Sequence, residues 1–314
     1  MTATTKLAVV LGAGQVGSLV AERLRSRGLA VRQVRRSGAS SKDVLVGDLA
    51  DPGFAGEAGR GASVIVHCAV PPYHQWASLL EPLNEGALHA AKTSGARLVV
   101  LDNLYGYGRP SGPMSETTPV APISRKGALR AKVAERLLSA HRAGDARVSL
   151  ARASDFYGPG VTLSGVFGER FFQRVLAGKT AEVFGDADAL HSYSYAPDVA
   201  DGLVTLALDE RADGEVWHLP VAAPESTRQW VQRFGRALGR ELTVSKVPAL
   251  ALRFMGLFAP AAGEMVEMLY QWEALFVLDD SKFRAAFEAT ATPADVGVEA
   301  TIAWAKGAFG RRVA

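Results

Sequence analysis

The feature that most constrains this chain is the junction, near its start, between an apolar segment and a cluster of glycines. Residues 6–11 suit a buried strand and lead directly into the sequence Gly12-Ala13-Gly14-Gln15-Val16-Gly17. Apolar side chains then recur at helical spacing to about residue 26. Glycines at these three positions permit a tight turn, close approach of a ligand to the backbone, and close packing of helix on strand. The junction therefore predicts a dinucleotide-binding turn; the alternative is an ordinary strand-to-helix turn.

Strands and helices alternate regularly through the first half of the chain. Apolar runs at residues 30–34, 43–46, 63–67, 97–101 and 147–151 are separated by helical patterns, including a long helix over residues 124–143. Such alternation is typical of a parallel sheet covered by helices on both faces. The predicted fold class is α/β: a doubly wound, Rossmann-like parallel sheet with a smaller C-terminal substrate lobe.

The regular alternation declines after about residue 155. We expect a dinucleotide-binding domain formed by residues 1–155 plus 187–223, in which residues 192–208 and 216–219 return to the main sheet. Residues 156–186 plus 224–314 are predicted to form a substrate-binding lobe and C-terminal helices. The apolar segment 248–260 is too short to cross a bilayer, which takes about 20 residues, and is interpreted as a buried helix or a pocket wall.

Composition excludes several classes of protein. The 314 residues carry a formal charge of +3, and their basic side chains are dispersed, which argues against a nucleic-acid partner. No export signal or membrane segment is visible. The single cysteine, Cys68, cannot form an internal disulfide. We therefore expect a cytoplasmic protein that acts on a small molecule without a metal.

Positive charge follows the second predicted strand. In dinucleotide-binding folds this strand normally ends at an acidic residue, which binds the ribose 2′-hydroxyl and repels a 2′-phosphate. Here the residues are Arg35, Arg36 and Ser37. Guanidinium groups and a hydroxyl bind phosphate through charge-assisted hydrogen bonds, so the sequence favours NADP(H) over NAD(H). The alternative is a pair of solvated surface arginines.

Two further segments fit the adenosine side of such a cofactor. Asp48 follows the third strand and can accept a hydrogen bond from the adenine amino group, while Leu49 packs on the ring. The loop after the fourth strand, Cys68-Ala69-Val70, is expected to pass beneath the cofactor. Each is an ordinary loop residue by itself, and their order along the chain supports the assignment.

Six segments together follow the pattern of a known family. They are the glycine turn, Gly47-Asp48-Leu49, His67-Cys68-Ala69, Tyr107-Gly108, the nonapeptide RASDFYGPG at 152–160 and the heptapeptide SYAPDVA at 194–200. In these segments the chain resembles the extended short-chain dehydrogenase/reductases, the NAD-dependent epimerase/dehydratase family. The resemblance implies a Rossmann-like domain, a C-terminal substrate lobe, and a cofactor lying across the strand ends with Ser154 and Asp155 near it. The long helix over residues 124–143 resembles the one through which relatives dimerise, and its face here is rich in basic residues, so a monomer or a homodimer is expected.

The chain departs from this family where the chemistry is expected. The family's activity rests on a Tyr-x-x-x-Lys pair on the long helix and on a serine or threonine at the end of the fifth strand. Aligning Lys126 with the tyrosine places Arg130 at the lysine, whereas the register through Lys132 places Ala128 at the tyrosine. Neither register restores the tyrosine. The resemblance therefore implies an atypical member, to which the usual mechanism does not transfer.

Three residues are candidates for the missing chemistry. Lys126 can donate a proton where burial and the like charge of Arg130 disfavour its ammonium form. Tyr105 can replace the absent tyrosine, with Lys126 beside it. Asn103, at the usual serine position, can hydrogen-bond a substrate oxygen. The alternatives are that Lys126 and Arg130 form a solvated helix face or only bind cofactor, and that Tyr105 is a packing aromatic.

Aromatic and apolar side chains are candidates for a substrate pocket, although they suit a hydrophobic core equally. They lie at residues 71–76 and at Phe167, Phe171, His191, Tyr193, Met268, Tyr270, Trp272 and Phe276. Together with the cofactor prediction they favour an NADP(H)-dependent oxidoreductase acting on a carbonyl or activated double bond of a small, partly apolar molecule. The alternatives are a nicotinamide-retaining epimerase or dehydratase and a non-catalytic NADP(H) sensor.

Overall fold

The structure is a computed structural model that describes residues 6–256 and 260–310, apart from the side chains of residues 255–256 and 260–262. Its strands are β1 (Leu7–Leu11), β2 (Ala30–Arg35), β3 (Val44–Val46), β4 (Ala62–His67), β5 (Arg97–Asp102), β6 (Arg147–Arg152), β7 (Asp155–Tyr157), β8 (Ala181–Val183), β9 (Leu190–His191), β10 (Tyr193–Tyr195), β11 (Val216–His218), β12 (Glu225–Ser226) and β13 (Val244–Lys246).

The α-helices of the described residues follow the same chain order. They are α1 (Gly17–Ser26), α2 (Pro52–Gly59), α3 (Trp76–Ser94), α4 (Arg125–Arg142), α5 (Glu169–Leu176), α6 (Ala196–Leu208), α7 (Thr227–Leu238), α8 (Ala249–Gly256), α9 (Pro260–Val266), α10 (Tyr270–Glu273), α11 (Ser281–Phe287) and α12 (Ala294–Phe309). Short 3₁₀ helices lie at Tyr73–Gln75, Tyr105–Tyr107 and Glu210–Ala212.

The backbone forms two compact units. The first comprises the described residues up to Gly106, together with Lys126–Arg152 and Val199–Leu219. The second comprises Tyr107–Arg125, Ala153–Asp198 and the described residues from Pro220 onward. The chain thus passes between the units several times, and the functional roles assigned to the two predicted domains stay predictions.

Seven parallel strands form the sheet of the first unit, in the order β11-β6-β5-β4-β1-β2-β3. The central strands are apolar and almost fully buried, as expected of a sheet covered on both faces. The strand order reverses between β1 and β4, which in open sheets of this kind opens a crevice at the carboxyl ends of the strands. The predicted doubly wound, Rossmann-like fold is confirmed.

An aromatic core holds the second unit together. Phe167, Phe172 and Trp230 are at most 1% exposed, and their rings pack edge-on or tilted against neighbouring aromatics. Most of the side chains proposed for a pocket wall belong to this or adjoining buried packing: Phe167, Phe171, His191, Tyr193, Met268, Tyr270, Trp272 and Phe276 are all under 9% exposed. The alternative interpretation of these residues, as core, is therefore the one that their burial supports.

Two local predictions for the second half of the chain are wrong. Residues 193–195 form β10, which pairs with β7 and not with the main sheet, although β11 does pair with β6 as expected. The segment over residues 248–260, interpreted as a buried helix or a pocket wall, contains α8, whose Leu250 and Phe254 are 75% and 65% exposed, so the helix is not buried and the pocket wall stays a prediction. Residues 257–259 of that segment lie outside the described residues. Among the described residues, no helix has the length and hydropathy required to span a bilayer.

Candidate active site

The glycine turn between β1 and α1 is built by two close backbone approaches. The amide of Gly12 donates to the carbonyl of Val34 at 2.9 Å, and Gly12 has φ +95°, a left-handed conformation that favours glycine. A Cβ atom on Gly12 would lie 2.6 Å from the amide nitrogen of Ala69, and one on Gly17 would lie 1.8 Å from the carbonyl oxygen of Gly12. Glycine is required at both positions because backbone occupies the space of a side chain.

The middle glycine differs from the other two. A Cβ atom on Gly14 would meet nothing within 4 Å, and the residue is exposed. Val16 occupies the N-cap position of α1 without a capping side chain, so the first amides of this helix are not satisfied by its own cap. Gln15 lies between the two, half-buried. An open backbone surface at a helix amino terminus fits the pyrophosphate of a dinucleotide.

The basic residues after β2 are solvent-exposed. Arg35 ends the strand, and its carbonyl accepts a hydrogen bond from the amide of Gly47, which fixes the backbone at this point. The side chains of Arg35, Arg36 and Ser37 extend beyond that bond and are exposed. No acidic side chain among the described residues forms an ion pair with either arginine. Both guanidinium groups are thus accessible to a phosphate.

The segments predicted on the adenosine side occupy different environments. Asp48 is exposed, and its Oδ1 accepts from the amide of Ala50 at 3.0 Å. Leu49 is buried, and its carbonyl lies so close to α3 that a Cβ on Gly86 would be 1.8 Å from it. Val70 is half exposed. The buried Leu49 is thus less able than its neighbours to pack on the ring of a ligand. The assignment of these residues to the adenosine side of a cofactor stays a prediction.

Two cations on the first turns of α4 face the interior of the first unit. Lys126 is 2% exposed and Arg130 is 8% exposed, one helical turn apart. In contrast, Ala128 is exposed, and the side chain of Lys132 is 67% exposed and forms an ion pair with Glu81. The alternative of a solvated helix face is therefore wrong for Lys126 and Arg130. Of the two registers considered for the family's catalytic pair, only the one through Lys126 points inward.

A buried acid holds Arg130 in place. Asp102 ends β5, and its Oδ1 lies 3.5 Å from Nη1 of Arg130 while its Oδ2 accepts from Nε of Arg152 at 3.0 Å. The three side chains are at most 10% exposed. Asp102 was not predicted from the sequence, although an acid and a base at the ends of adjacent predicted strands were a signal for such a pair.

His67 adds unsatisfied polar atoms to the same region. The residue ends β4 and is 2% exposed, and neither ring nitrogen has a hydrogen-bond partner among the described residues. Burial, with a smaller contribution from the charge of Arg130, lowers the pKa of His67 to about 3, so the ring is neutral. The Nε of Arg130 is also buried without a described partner.

These observations test whether a dinucleotide fits. The glycine turn offers open backbone at Gly14, and the far side of the strand ends offers buried nitrogen atoms at His67 and Arg130 that lack described partners. Groups of this kind can bind the phosphates at one end of a dinucleotide and the hydroxyls at the other. The residues present therefore fit NAD(P)(H).

A tyrosine pair lies next to Lys126. The hydroxyls of Tyr73 and Tyr105 are 2.5 Å apart, and the Nζ of Lys126 lies 5.3 Å from the ring centroid of Tyr73. The ring of Trp76 stacks on Tyr105 at 6.2 Å, contacts Tyr73 edge-on at 5.0 Å and also contacts the guanidinium of Arg130 at 4.5 Å. From the sequence, Tyr105 was a candidate for the chemistry, whereas Tyr73 was a candidate only for a pocket wall.

Asn103 stabilises the backbone turn that precedes Tyr105. Its Oδ1 accepts a hydrogen bond from the backbone amide of Tyr105 at 3.1 Å, which is an Asx-type turn at the end of β5. The bond fixes the start of the 3₁₀ helix that carries Tyr105. The predicted contact of Asn103 with a substrate oxygen stays a prediction, and its amide nitrogen is the atom that can make it.

Ser154 and Asp155 belong to the second unit, where other residues surround them. The amide of Ser154 donates to Oγ of Ser194 at 3.0 Å. Asp155 is paired with His191, whose Nε2 lies 3.0 Å from Oδ2 of the carboxylate and whose Nδ1 lies 3.2 Å from the carbonyl oxygen of Gln271. Their assignment to a cofactor stays a prediction.

The doubly wound sheet, the glycine turn and the polar strand ends define the dinucleotide-binding fold of the extended short-chain dehydrogenase/reductases. The model of the "NAD dependent epimerase/dehydratase family" matches residues 8–219. The chain belongs to this family, whose enzymes depend on NAD(P).

Two curated relatives are similar in sequence. The chain is 29% identical over 156 residues to a 2'-dehydrokanamycin reductase of Streptomyces kanamyceticus, a match that covers 49% of this chain and 44% of that protein. It is 27% identical over 270 residues to a dTDP-6-deoxy-L-talose 4-dehydrogenase (NAD(P)(+)) of Kitasatospora kifunensis, covering 79% of this chain and 84% of the relative. The first match thus spans less than half of the relative's length.

Solved structures share the fold. MoeE5 in complex with UDP-glucose and NAD superposes with a TM-score of 0.76 at 21% identity, covering 96% of this chain and 99% of that chain. The UDP-glucose 4-epimerase of Thermus thermophilus in complex with NAD gives a TM-score of 0.75 at 20% identity, with the same coverage. At such identities the similarity concerns the fold alone.

Proposed function

We propose that this protein is an NADP(H)-dependent oxidoreductase that reduces a carbonyl group, or a double bond activated by one, in a small molecule. The observation that carries the proposal is the buried pair of basic side chains on α4, Lys126 and Arg130, which pack against Tyr73 and Trp76, the aromatic residues that follow β4. A carbonyl that accepts hydride develops negative charge on its oxygen, and fixed cations and hydroxyls in a dry region stabilise that charge.

The choice of NADP(H) over NAD(H) is supported by the end of β2. Arg35 and Arg36 are exposed, have no acidic partner among the described residues, and are followed by the hydroxyl of Ser37. Two guanidinium groups without a carboxylate nearby suit a 2′-phosphate, since each can donate two parallel hydrogen bonds to phosphate oxygens.

We assign some residues at the strand ends to cofactor binding and others to the reaction. Bound NADPH would supply hydride to the substrate carbon. Gly12, Gly14 and Gly17 would receive its phosphates at the amino end of α1, and His67 and Arg130 offer nitrogen atoms for its hydroxyls. Lys126, Tyr105 and Asn103 are the side chains proposed to orient the carbonyl oxygen and to supply its proton.

The substrate class draws on the relatives as well as on the sequence. The two curated relatives are described as a reductase and a dehydrogenase, and both names specify sugar derivatives. Carbonyl reduction and alcohol oxidation are the two directions of one reaction. A screen therefore needs keto sugars as well as the aromatic ketones, quinones and enones that a partly apolar pocket would accept.

A second function has one observation in its favour. Helix α4 contains no tyrosine, so a protein that binds NADP(H) without turning over substrate is the other candidate. In that case Lys126 and Arg130 would only bind the cofactor.

The two candidates are separated by a binding and turnover experiment. Purified protein is titrated with NADPH and NADH, with cofactor fluorescence as the signal, and is then screened for substrate-dependent loss of absorbance at the nicotinamide band. We expect tighter binding of NADPH and turnover of at least one carbonyl class. Tight binding without turnover on any class, with Lys126→Ala changing affinity alone, would establish the non-catalytic function instead.

The NADP(H) preference has its own matched control. Arg35→Ala and Arg36→Ala should weaken NADPH by at least about tenfold and leave NADH nearly unchanged, because only NADPH carries the 2′-phosphate. Arg25→Ala removes an exposed arginine from the last turn of α1, at the opposite end of that helix from the glycine turn, and should affect neither cofactor. Equal weakening of both cofactors by the Arg35 and Arg36 substitutions would refute the assignment.

A further inference from the structure

We propose that Tyr73 is the proton donor of this enzyme, with Tyr105 as the residue that positions it. The inference rests on the proposed function, since it names the group that completes a carbonyl reduction. It differs from the sequence-based assignment in the residue that meets the substrate, because Tyr73 follows β4 and not β5.

The hydroxyls of Tyr73 and Tyr105 are joined by a hydrogen bond that uses one of their two phenolic protons. The two hydroxyl oxygens are 2.5 Å apart, so one phenol donates to the other. Each phenol can donate one hydrogen bond and accept another. The pair carries two phenolic protons and the bond between the oxygens involves one of them, so transfer of the other proton to a substrate oxygen is compatible with that bond.

Exposure decides which phenol meets the substrate. Tyr105 is 8% exposed, whereas Tyr73 is only half-buried. Tyr105 is also fixed from two directions, because Asn103 accepts a hydrogen bond from its amide and the ring of Trp76 stacks on its own ring. The more accessible Tyr73 is therefore the proton donor, and the more rigid Tyr105 positions the hydroxyl of Tyr73 through the hydrogen bond between them.

The surroundings of Tyr73 suit the charge that proton transfer would leave behind. After transfer its oxygen is a phenolate, and the hydroxyl of Tyr105 can donate to that oxygen. The Nζ of Lys126 lies 5.3 Å from the centre of the Tyr73 ring, and Lys126 is 2% exposed. Because the interaction between charges grows as water is excluded, a buried ammonium group packed on this ring would stabilise the phenolate.

The support for Tyr73 comes from one buried side chain. Trp76 is 2% exposed, its Nε1 donates to the carbonyl of Pro71 at 2.8 Å, and its ring contacts Tyr73 edge-on at 5.0 Å. The Pro71-Pro72 sequence before Tyr73 restricts the backbone, since proline fixes φ. The phenol is therefore carried by the short 3₁₀ helix Tyr73–Gln75, whose following residue, Trp76, is hydrogen-bonded back to Pro71.

Tyr73 would supply the proton that completes the reduction. Bound NADPH would supply hydride to the carbonyl carbon and would itself be oxidised, so that the electron pair of the C=O π bond would move to the carbonyl oxygen. That oxygen would take the phenolic proton of Tyr73, so an alcohol O–H bond would form while the Tyr73 O–H bond breaks. The Tyr73 phenolate would regain a proton from water, since its side chain is only half-buried.

The test compares Tyr73→Phe, Tyr105→Phe and the double variant with the wild type. Tyr73→Phe should lower kcat by about 10²–10⁴-fold, the usual contribution of a general acid, with little change in KM or in the dissociation constant of NADPH. Tyr105→Phe should lower kcat by a smaller factor, again without raising KM, because it acts through Tyr73. Tyr157→Phe, which removes a fully buried hydroxyl that has no described hydrogen-bond partner, is the matched control and should leave kcat unchanged.

A measurement without cofactor or substrate checks the pair itself. In urea unfolding of the apoprotein, the losses in midpoint of Tyr73→Phe and Tyr105→Phe should not add in the double variant, because both remove the same hydrogen bond. Additive losses would contradict the hydroxyl-to-hydroxyl bond on which the proposal depends.

The outcomes distinguish this inference from the proposed function. Wild-type turnover that survives in Tyr73→Phe within about twofold, but is abolished in Lys126→Ala, would overturn Tyr73 as donor and leave the reductase intact with Lys126 in that role. A wild type that binds NADPH and reduces no carbonyl class would overturn both. Loss of kcat in Tyr73→Phe with unchanged NADPH affinity and non-additive unfolding supports the proposal.

Discussion

Nε of Arg152 donates to Oδ2 of Asp102 at 3.0 Å, and the two residues are register partners on β6 and β5. Asp102 also lies 3.5 Å from Arg130, so a single buried carboxylate faces two guanidinium groups. A pair of this kind is no proof of net stabilisation, because both charges lose their hydration on burial. Its removal has a clear consequence, because the remaining cations stay buried.

We expect Asp102→Ala to lower the free energy of unfolding by about 3–5 kcal/mol, the usual result of leaving a buried charge unpaired. Urea unfolding followed by circular dichroism measures the loss. Asp145→Ala is the control, since its partner Lys92 and its own side chain are both about a third or more exposed, and it should change stability very little. Losses of similar size in the two variants would contradict this account.

The sequence was sufficient to predict the sheet because its signals are local. Residues 6–11 and 97–101 are apolar runs of strand length, and both strands lie within one residue of the predicted positions. The glycine turn was predictable for the same reason, since strand, turn and helix are contiguous. Each of these features is decided by neighbours along the chain.

The candidate active site was harder to predict from the sequence than the sheet, because its contacts join segments that are far apart in the chain. Tyr73 and Tyr105 are 32 residues apart, and only the parallel arrangement of β4 and β5 brings their hydroxyls together. The burial of Lys126 likewise depends on the packing of α4. Residues 193–195 were wrongly assigned to the main sheet for a related reason: a three-residue strand pairs by tertiary contact, and its sequence does not specify the partner.

His67 makes stability depend on pH. Burial lowers the pKa of His67 to about 3, whereas an exposed histidine in the unfolded chain has a pKa near 6.5. Between these values the unfolded chain binds a proton that the folded protein does not bind, so stability falls as the pH falls. The expected contribution is about 1.4 kcal/mol per pH unit from about pH 6.5 downward, and it is constant above that window.

The measurement is the free energy of unfolding in urea at about pH 7.5, 6.5, 5.5 and 4.5, for wild type and for His67→Phe. Because other groups titrate in both proteins, the difference between the two curves isolates His67. His74→Asn, at an exposed position, is the control and should run parallel to the wild type. A His67→Phe curve that is equally steep between about pH 6.5 and 4.5 would show that His67 does not contribute.

Cys68 is predicted to be unreactive in the native protein. Burial raises the pKa of its thiol to about 12, so at about pH 8 only about one molecule in 10⁴ carries the reactive thiolate. The chain has no other cysteine, and a thiol reagent such as a nitrobenzoate disulfide therefore reports this residue alone. We expect slow labelling in buffer and rapid, stoichiometric labelling in denaturant. Native labelling at the rate of a free thiol would show that the thiol is not shielded from water.

Gly14 and Gly17 separate ligand binding from folding. A methyl group on Gly17 would lie 1.8 Å from the carbonyl oxygen of Gly12, so Gly17→Ala should destabilise the protein by at least about 1–3 kcal/mol. A methyl group on Gly14 meets nothing within 4 Å, so the free energy of unfolding of Gly14→Ala should lie within about 0.5 kcal/mol of the wild-type value.

The same methyl group would occupy the open backbone surface proposed for the pyrophosphate, and Gly14→Ala should therefore weaken NADPH binding by at least about tenfold. Urea unfolding and NADPH fluorescence titration are measured on both variants, and full NADPH affinity in a stable Gly14→Ala protein would place the dinucleotide elsewhere.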